Sequence, residues 1–130
     1  MYVTDTNTLI YFFKGSGSVS QKLLSIPPKE IGVPAIVLYE LEVGIAKSKA
    51  PRKRMKQLEA LVSVIQILPF TAKEARTSAM IRAGLERKGL PIGPIDILIA
   101  GTALAHQAIL ITHNVKEFKR IPKLHIEDWY

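Results

Sequence analysis

Three acids in this 130-residue chain, Asp5, Glu40 and Asp96, occupy settings where a carboxylate is conspicuous. Asp5 follows the β-prone run Tyr2-Val3-Thr4 and precedes Thr6, Asn7 and Thr8, residues suited to opening a helix. It therefore stands at a strand exit, where functional groups collect in open α/β sheets, although an Asp there also serves as a helix cap. Glu40 lies in Ala35 to about Lys49, a helix apolar on most of its circumference and expected to be buried. Glu42 shares that helix, and periodicity alone does not choose between them; Gly44, one turn beyond Glu40, leaves its side open. Asp96 enters the first turn of a very apolar helix, Ile95 to about Gln107, where the helix dipole favours an acid whether or not it does chemistry.

If folding gathers these acids, each pair at roughly 5 Å repels by about 3 kcal/mol at an effective dielectric of about 20. Nothing adjacent in sequence neutralises them, so a divalent cation is the natural counter-charge. All-oxygen ligands suit Mg²⁺ or Mn²⁺ rather than zinc or copper. Such a site activates water and holds a phosphodiester for in-line attack. The chain's charge suits that substrate: 18 Lys and Arg against 11 Asp and Glu give a net +7, which attracts polyanions. Six of the cations, Lys47, Lys49, Arg52, Lys53, Arg54 and Lys56, fall within ten positions that contain no acid. A solvated face explains such a run, and so does contact with RNA phosphates.

The elements that must position the acids follow in order. After the first strand, Leu9, Ile10, Phe12 and Phe13 form a helical apolar face that stops at Gly15-Ser16-Gly17. A second helix runs through Val19, Leu23, Leu24 and Ile26 to Pro27-Pro28. Glu30 to Val33 is a short strand, and Pro34 opens the helix that carries Glu40. From Pro51 a basic amphipathic helix turns Met55, Leu58, Leu61 and Val62 inward before the strand Ile65 to Leu68. Thr71 and Glu74 form a capping box for a helix with Ala75, Ala79, Ile81 and Leu85 as its seam, ended at Gly89. Ala108 to Thr112 is a continuous apolar run typical of a buried parallel strand, with Thr112, His113 and Asn114 at its exit and Glu117 in a short helix. Leu124 to Trp129 supplies an edge strand.

Strand and helix alternate throughout, which predicts a single domain over residues 1–130, an α/β fold with a central, mainly parallel sheet covered by helices on both faces. Cysteine is absent, which removes disulfides, thiolate nucleophiles and Cys-based zinc sites. The apolar runs are too short to span a bilayer and the start lacks the pattern of a signal peptide, so the expected setting is the cytoplasm, away from any membrane.

Val3-Thr4-Asp5-Thr6-Asn7, Tyr39-Glu40-Leu41 with Gly44, Asp96-Ile97-Leu98-Ile99-Ala100, and Leu110-Ile111-Thr112-His113-Asn114 with Glu117-Phe118 resemble, in that order, the motifs of PIN domains. Among these the chain is most similar to VapC-type toxins of prokaryotic toxin–antitoxin pairs. The resemblance spans essentially the whole chain and implies the three-layer α/β/α PIN-like fold. It also implies a metal-dependent endoribonuclease that leaves a 5′-phosphate, with Asp5, Glu40 and Asp96 around Mg²⁺ or Mn²⁺. A homodimer is implied too, inhibited by a cognate antitoxin in the active-site groove.

One position departs from the pattern: many members carry a fourth acid where this chain has Asn114. Two roles stay open there, with Asn114 orienting a bound water or Glu117, about one helical turn on, supplying the missing carboxylate. Thr6 and Thr112 are candidates to hydrogen-bond the ligand carboxylates, as turn hydroxyls also would. The departure supports a rival expectation, a catalytically weak PIN-like module that binds RNA or antitoxin. A haloacid-dehalogenase-type phosphatase is disfavoured because Asn7 replaces the second Asp of that signature. Paired-histidine catalysis is disfavoured because His106, His113 and His125 show no spacing that forces convergence.

Overall fold

Three- and four-residue strands are enough to build the centre of this protein because the middle three, at Tyr2–Thr4, Ile31–Pro34 and Ile109–Ile111, are mainly apolar and each lies between two parallel neighbours. A computed structural model describes residues Met1–Tyr130. Strands β1 (Tyr2–Thr4), β2 (Ile31–Pro34), β3 (Gln66–Leu68), β4 (Ile109–Ile111) and β5 (His125–Glu127) form one sheet in the order β3-β2-β1-β4-β5. All four pairings are parallel. The central register sets Val3 between Gly32 of β2 and Leu110 of β4. All four β2 residues are buried, whereas Gln66 and Ile67 of the edge strand β3 are exposed.

Seven helices flank the sheet: α1 (Thr6–Lys14), α2 (Val19–Leu24), α3 (Ala35–Ala46), α4 (Pro51–Val62), α5 (Ala72–Arg87), α6 (Pro94–Ala105) and α7 (Val115–Phe118). Gly15 ends α1 at φ 68°, a left-handed conformation that lets its amide reach the Phe12 carbonyl. The capping box of α5 forms as the sequence indicates. The Thr71 amide and hydroxyl donate to Glu74 Oε1 at 2.7 and 2.5 Å, and the hydroxyl, then the amide, holds the Glu74 carboxyl below its ordinary range. No helix is long and apolar enough to cross a membrane.

Three expectations about elements are corrected. Helix α3 is not buried: only Val37 and Leu41 are, while Tyr39 is 61% exposed and Glu42 and Val43 face solvent. Its neighbours α1, α4 and α6 leave one side of it open. It also stops at Ala46, short of Lys49, because Pro51 takes the first position of α4. The seam of α5 is Glu74, Ser78, Ile81 and Leu85, with Ala75 and Ala79 outside. The reason is the α5–α6 crossing, where a Cβ on Gly101 would lie 1.9 Å from Ser78 Oγ and 2.9 Å from Ser78 Cα. Only a glycine at 101 admits that approach, which sets Ser78 on the buried face and leaves Ala75 and Ala79 outside.

Candidate active site

Asp5 leaves β1 with its backbone already committed, since its amide donates to the Ile111 carbonyl of β4 at 3.2 Å. Its side chain does two jobs at once. Oδ1 accepts the Thr8 amide at 2.9 Å and caps α1, while Oδ2 accepts the Thr112 hydroxyl at 2.6 Å from the exit of β4. Thr8 adds a second tie between the strands, its hydroxyl donating to the Ile111 carbonyl at 3.0 Å. Asp5 is 5% exposed. Burial raises its carboxyl above the ordinary range, against the pull of the Thr112 and Thr8 hydrogen bonds, and the field of Glu40 adds to the rise.

Glu40 is half-buried on α3 and its Oε1 accepts the Thr6 hydroxyl at 2.5 Å. That contact resolves the ambiguity between the two glutamates of α3, because Glu42 is exposed. Asp96 lies in the first turn of α6, where no side-chain cap hydrogen bond forms. Its carboxyl is pushed up to about 6, by burial first, then by the fields of Asp5, Glu117 and Glu40. Asp5, Glu40, Asp96 and Glu117 therefore share one region of negative potential.

Asn114 and Glu117 act as a unit. The Asn114 amide nitrogen of the backbone donates to Thr112 Oγ1 at 3.0 Å, and its side-chain Nδ2 donates to Glu117 Oε2 at 3.2 Å. Thr112 thus holds Asp5 with one lobe of its hydroxyl and the start of α7 with the other. Thr6 and Thr112 both orient site carboxylates. The basic run is divided: Lys47, Lys49, Arg52, Lys53, Arg54 and Lys56 are all exposed on the turn after α3 and the first two turns of α4. Of the six, Arg54 alone lines a cavity shared with Glu40. Sequence reasoning missed Thr8, whose position three residues after an Asp at a helix start is the signal for its capping amide.

The donor set fits a hard divalent cation. Every candidate ligand is a carboxylate or amide oxygen, and none of the four acids is paired with a Lys, Arg or His. No three of them close into a cage as they stand.

Residues 2–124 match the PIN domain family. The tRNA(fMet)-specific endonuclease VapC of Salmonella typhimurium is 35% identical over 128 residues, covering 98% of this chain and 97% of that protein. Ribonuclease VapC2 of Rickettsia felis is 39% identical over 131 residues, covering 99% and 98%. Among solved structures, VapBC2 from Rickettsia felis, bound to a DNA fragment from its promoter, superposes with a TM-score of 0.92 at 39% identity, covering 99% of this chain and 98% of the other. DNA-bound VapBC from Salmonella typhimurium gives 0.92 at 35% identity, with the same coverage.

Proposed function

This chain belongs to the PIN-domain family, with VapC ribonucleases as relatives, and from that premise we propose that it is a metal-dependent endoribonuclease, the toxin of a VapBC-type toxin–antitoxin pair. The observation that carries the proposal is a set of carboxylates held in place by hydrogen bonds, Asp5 by Thr112 and Thr8, Glu40 by Thr6 and Glu117 by Asn114, beside Asp96, whose own carboxyl is pushed up to about 6 by burial and their fields. A protein keeps four mutually repelling acids beside a polyanion site when a cation is to be held there.

Asp5, Glu40 and Asp96 would hold Mg²⁺ or Mn²⁺, with Glu117 as the fourth carboxylate in place of the acid that Asn114 lacks. The bound ion would act as a Lewis acid on the phosphodiester and lower the pKa of water. The chain's own contribution is positioning. The Thr8 amide and Thr112 hydroxyl fix both oxygens of Asp5, the Thr6 hydroxyl fixes Glu40, and Asn114 fixes Glu117. Arg54 and the neighbouring lysines draw RNA phosphates toward that edge. Water adds to phosphorus and the P–O3′ bond breaks, leaving a 5′-phosphate and a 3′-hydroxyl.

Purified protein is expected to cleave RNA with Mg²⁺ or Mn²⁺ and to lose that activity in EDTA. Asp5→Asn and Asp96→Asn are expected to lower the rate at least about a hundredfold with circular dichroism unchanged. Cleavage undiminished in EDTA would overturn the metal mechanism. RNA binding without any cutting, metal supplied, would leave the catalytically weak binding module instead. A homodimer is part of the same proposal, supported by the exposed apolar side chains of Tyr39 and Val43 on α3, and sedimentation equilibrium reads it directly.

A further inference from the structure

Beside the acids lies a cavity of about 320 Å³ between α1, α3 and α4 that the positioning chemistry does not use. Its walls are Ile10 and Phe13 from α1 and Leu41 and Ile45 from α3, with Arg54 and Gln57 of α4 at the polar side. Glu40 belongs both to this cavity and to the acid cluster. Gly44 forms part of the lining, and a Cβ there would meet nothing within 4 Å.

We propose that this cavity receives one unstacked nucleobase of the RNA, next to the cleaved phosphate, and so sets which nucleotide flanks the cut. The inference rests on the ribonuclease reading above and deepens it. The size falls at the lower end of the range for small-molecule sites, about 300 to 1,000 Å³, and the lining is of their kind, apolar walls with a few polar groups. Unstacked bases are bound by aromatic faces and guanidinium planes and read along their edges by amides. Phe13 supplies the aromatic ring, Arg54 the cation and Gln57 the amide. The charge at the rim also argues for a polyanion: Lys14 and Arg54 line the cavity, and Lys53 and Lys56 stand exposed on α4. Because Glu40 is common to both sites, a base held here places its own phosphate within reach of the acids.

The test fills the cavity and removes the base. Gly44→Leu puts a branched side chain into open space and trades a helix-interior glycine for a good helix former, so the fold tolerates it. Substrates are one RNA oligonucleotide and its versions with an abasic site at each position near the cut. With the wild type, one abasic position is expected to lower kcat/KM about tenfold, the loss typical of one stacked base. With Gly44→Leu, intact RNA is expected to show that same loss, and the abasic position none further. Equal sensitivity of both proteins to base removal at every position overturns the proposal. So does a Gly44→Leu protein that cuts RNA as the wild type does but escapes inhibition by its antitoxin, which would assign the cavity to a protein side chain. Fluorescence anisotropy of the same oligonucleotides with Asp96→Asn separates this inference from the ribonuclease reading. If no RNA is cut, a base-dependent affinity that Gly44→Leu abolishes still upholds the cavity, and its absence overturns it.

Discussion

Asp96 shows what a cluster of acids costs the protein that carries it. Its carboxyl titrates near 6 when folded and near 3.8 when unfolded, so between those values the native state holds a proton that the unfolded chain has lost. Stability therefore falls as pH rises from about 4 to 6, and the penalty is complete above pH 6. The side chain is only partly buried, and after allowance for screening the penalty is about 1 kcal/mol. Asp96→Asn should then raise Tm by about 3 °C at pH 7.5 in EDTA and leave it unchanged at pH 4, measured by scanning calorimetry. Mg²⁺ should raise the Tm of the wild type more than that of the variant. A variant no more stable than the wild type at pH 7.5 would remove the repulsion account. At this scale the sequence was informative about type and poor about direction. Asp5, Glu40 and Asp96 were visible from their settings, whereas the pairing of Asn114 with Glu117 depends on an amide that turns toward a glutamate, which spacing does not encode.

Helix α4 places its cations against its own dipole. Arg52, Lys53 and Arg54 fall in its first turns, no acid is found in the first turn, and none of the three forms a salt bridge. Each such charge costs a few tenths of a kcal/mol up to about 1 at a helix N-terminus, an arrangement that stability alone does not explain. Exchanging Lys53 and Arg54 for Ser should weaken RNA binding and reduce the slope of log affinity against log salt by about 1.4, two charges' worth for a single strand. An unchanged slope would make the run an ordinary solvated face. The α5–α6 crossing gives a prediction of opposite sign at two glycines. Gly101→Ala should lose about 3 kcal/mol, because its methyl meets Ser78 backbone as well as side chain. Gly84→Ala, with nothing within 4 Å, should gain about 0.5 to 1 kcal/mol from helix propensity. Urea denaturation of both variants checks the pair. The same crossing explains why the α5 seam was misassigned. Periodicity counts alanine as apolar and glutamate as polar, and it carries no knowledge of a glycine on another helix or of a Glu74 satisfied by Thr71. Helix α3 was misassigned for a related reason, since an apolar circumference is equally the mark of a helix buried in the core and of one with an open side.

The architecture was the most legible part, because alternating strands and helices leave few arrangements other than a parallel sheet covered on both sides. Strand order was not legible, since short apolar runs do not name their neighbours. The order β3-β2-β1-β4-β5 shows that the chain builds outward from β1 on one side and then returns to the other, so that β1 and β4 flank the point where the direction reverses. Crevices form at such points beyond the strand ends, and here the Asp5–Thr112 hydrogen bond spans it. Those two residues are separated by 107 positions. Synthesis runs from the N-terminus, so a nascent chain that has emerged only as far as the end of α5 contains Asp5 and Glu40 but neither Asp96 nor the strand bearing Thr112. The acids on the two sides of the crevice are thus brought together only after Thr112 has been made, long after Asp5 and Glu40 have left the ribosome.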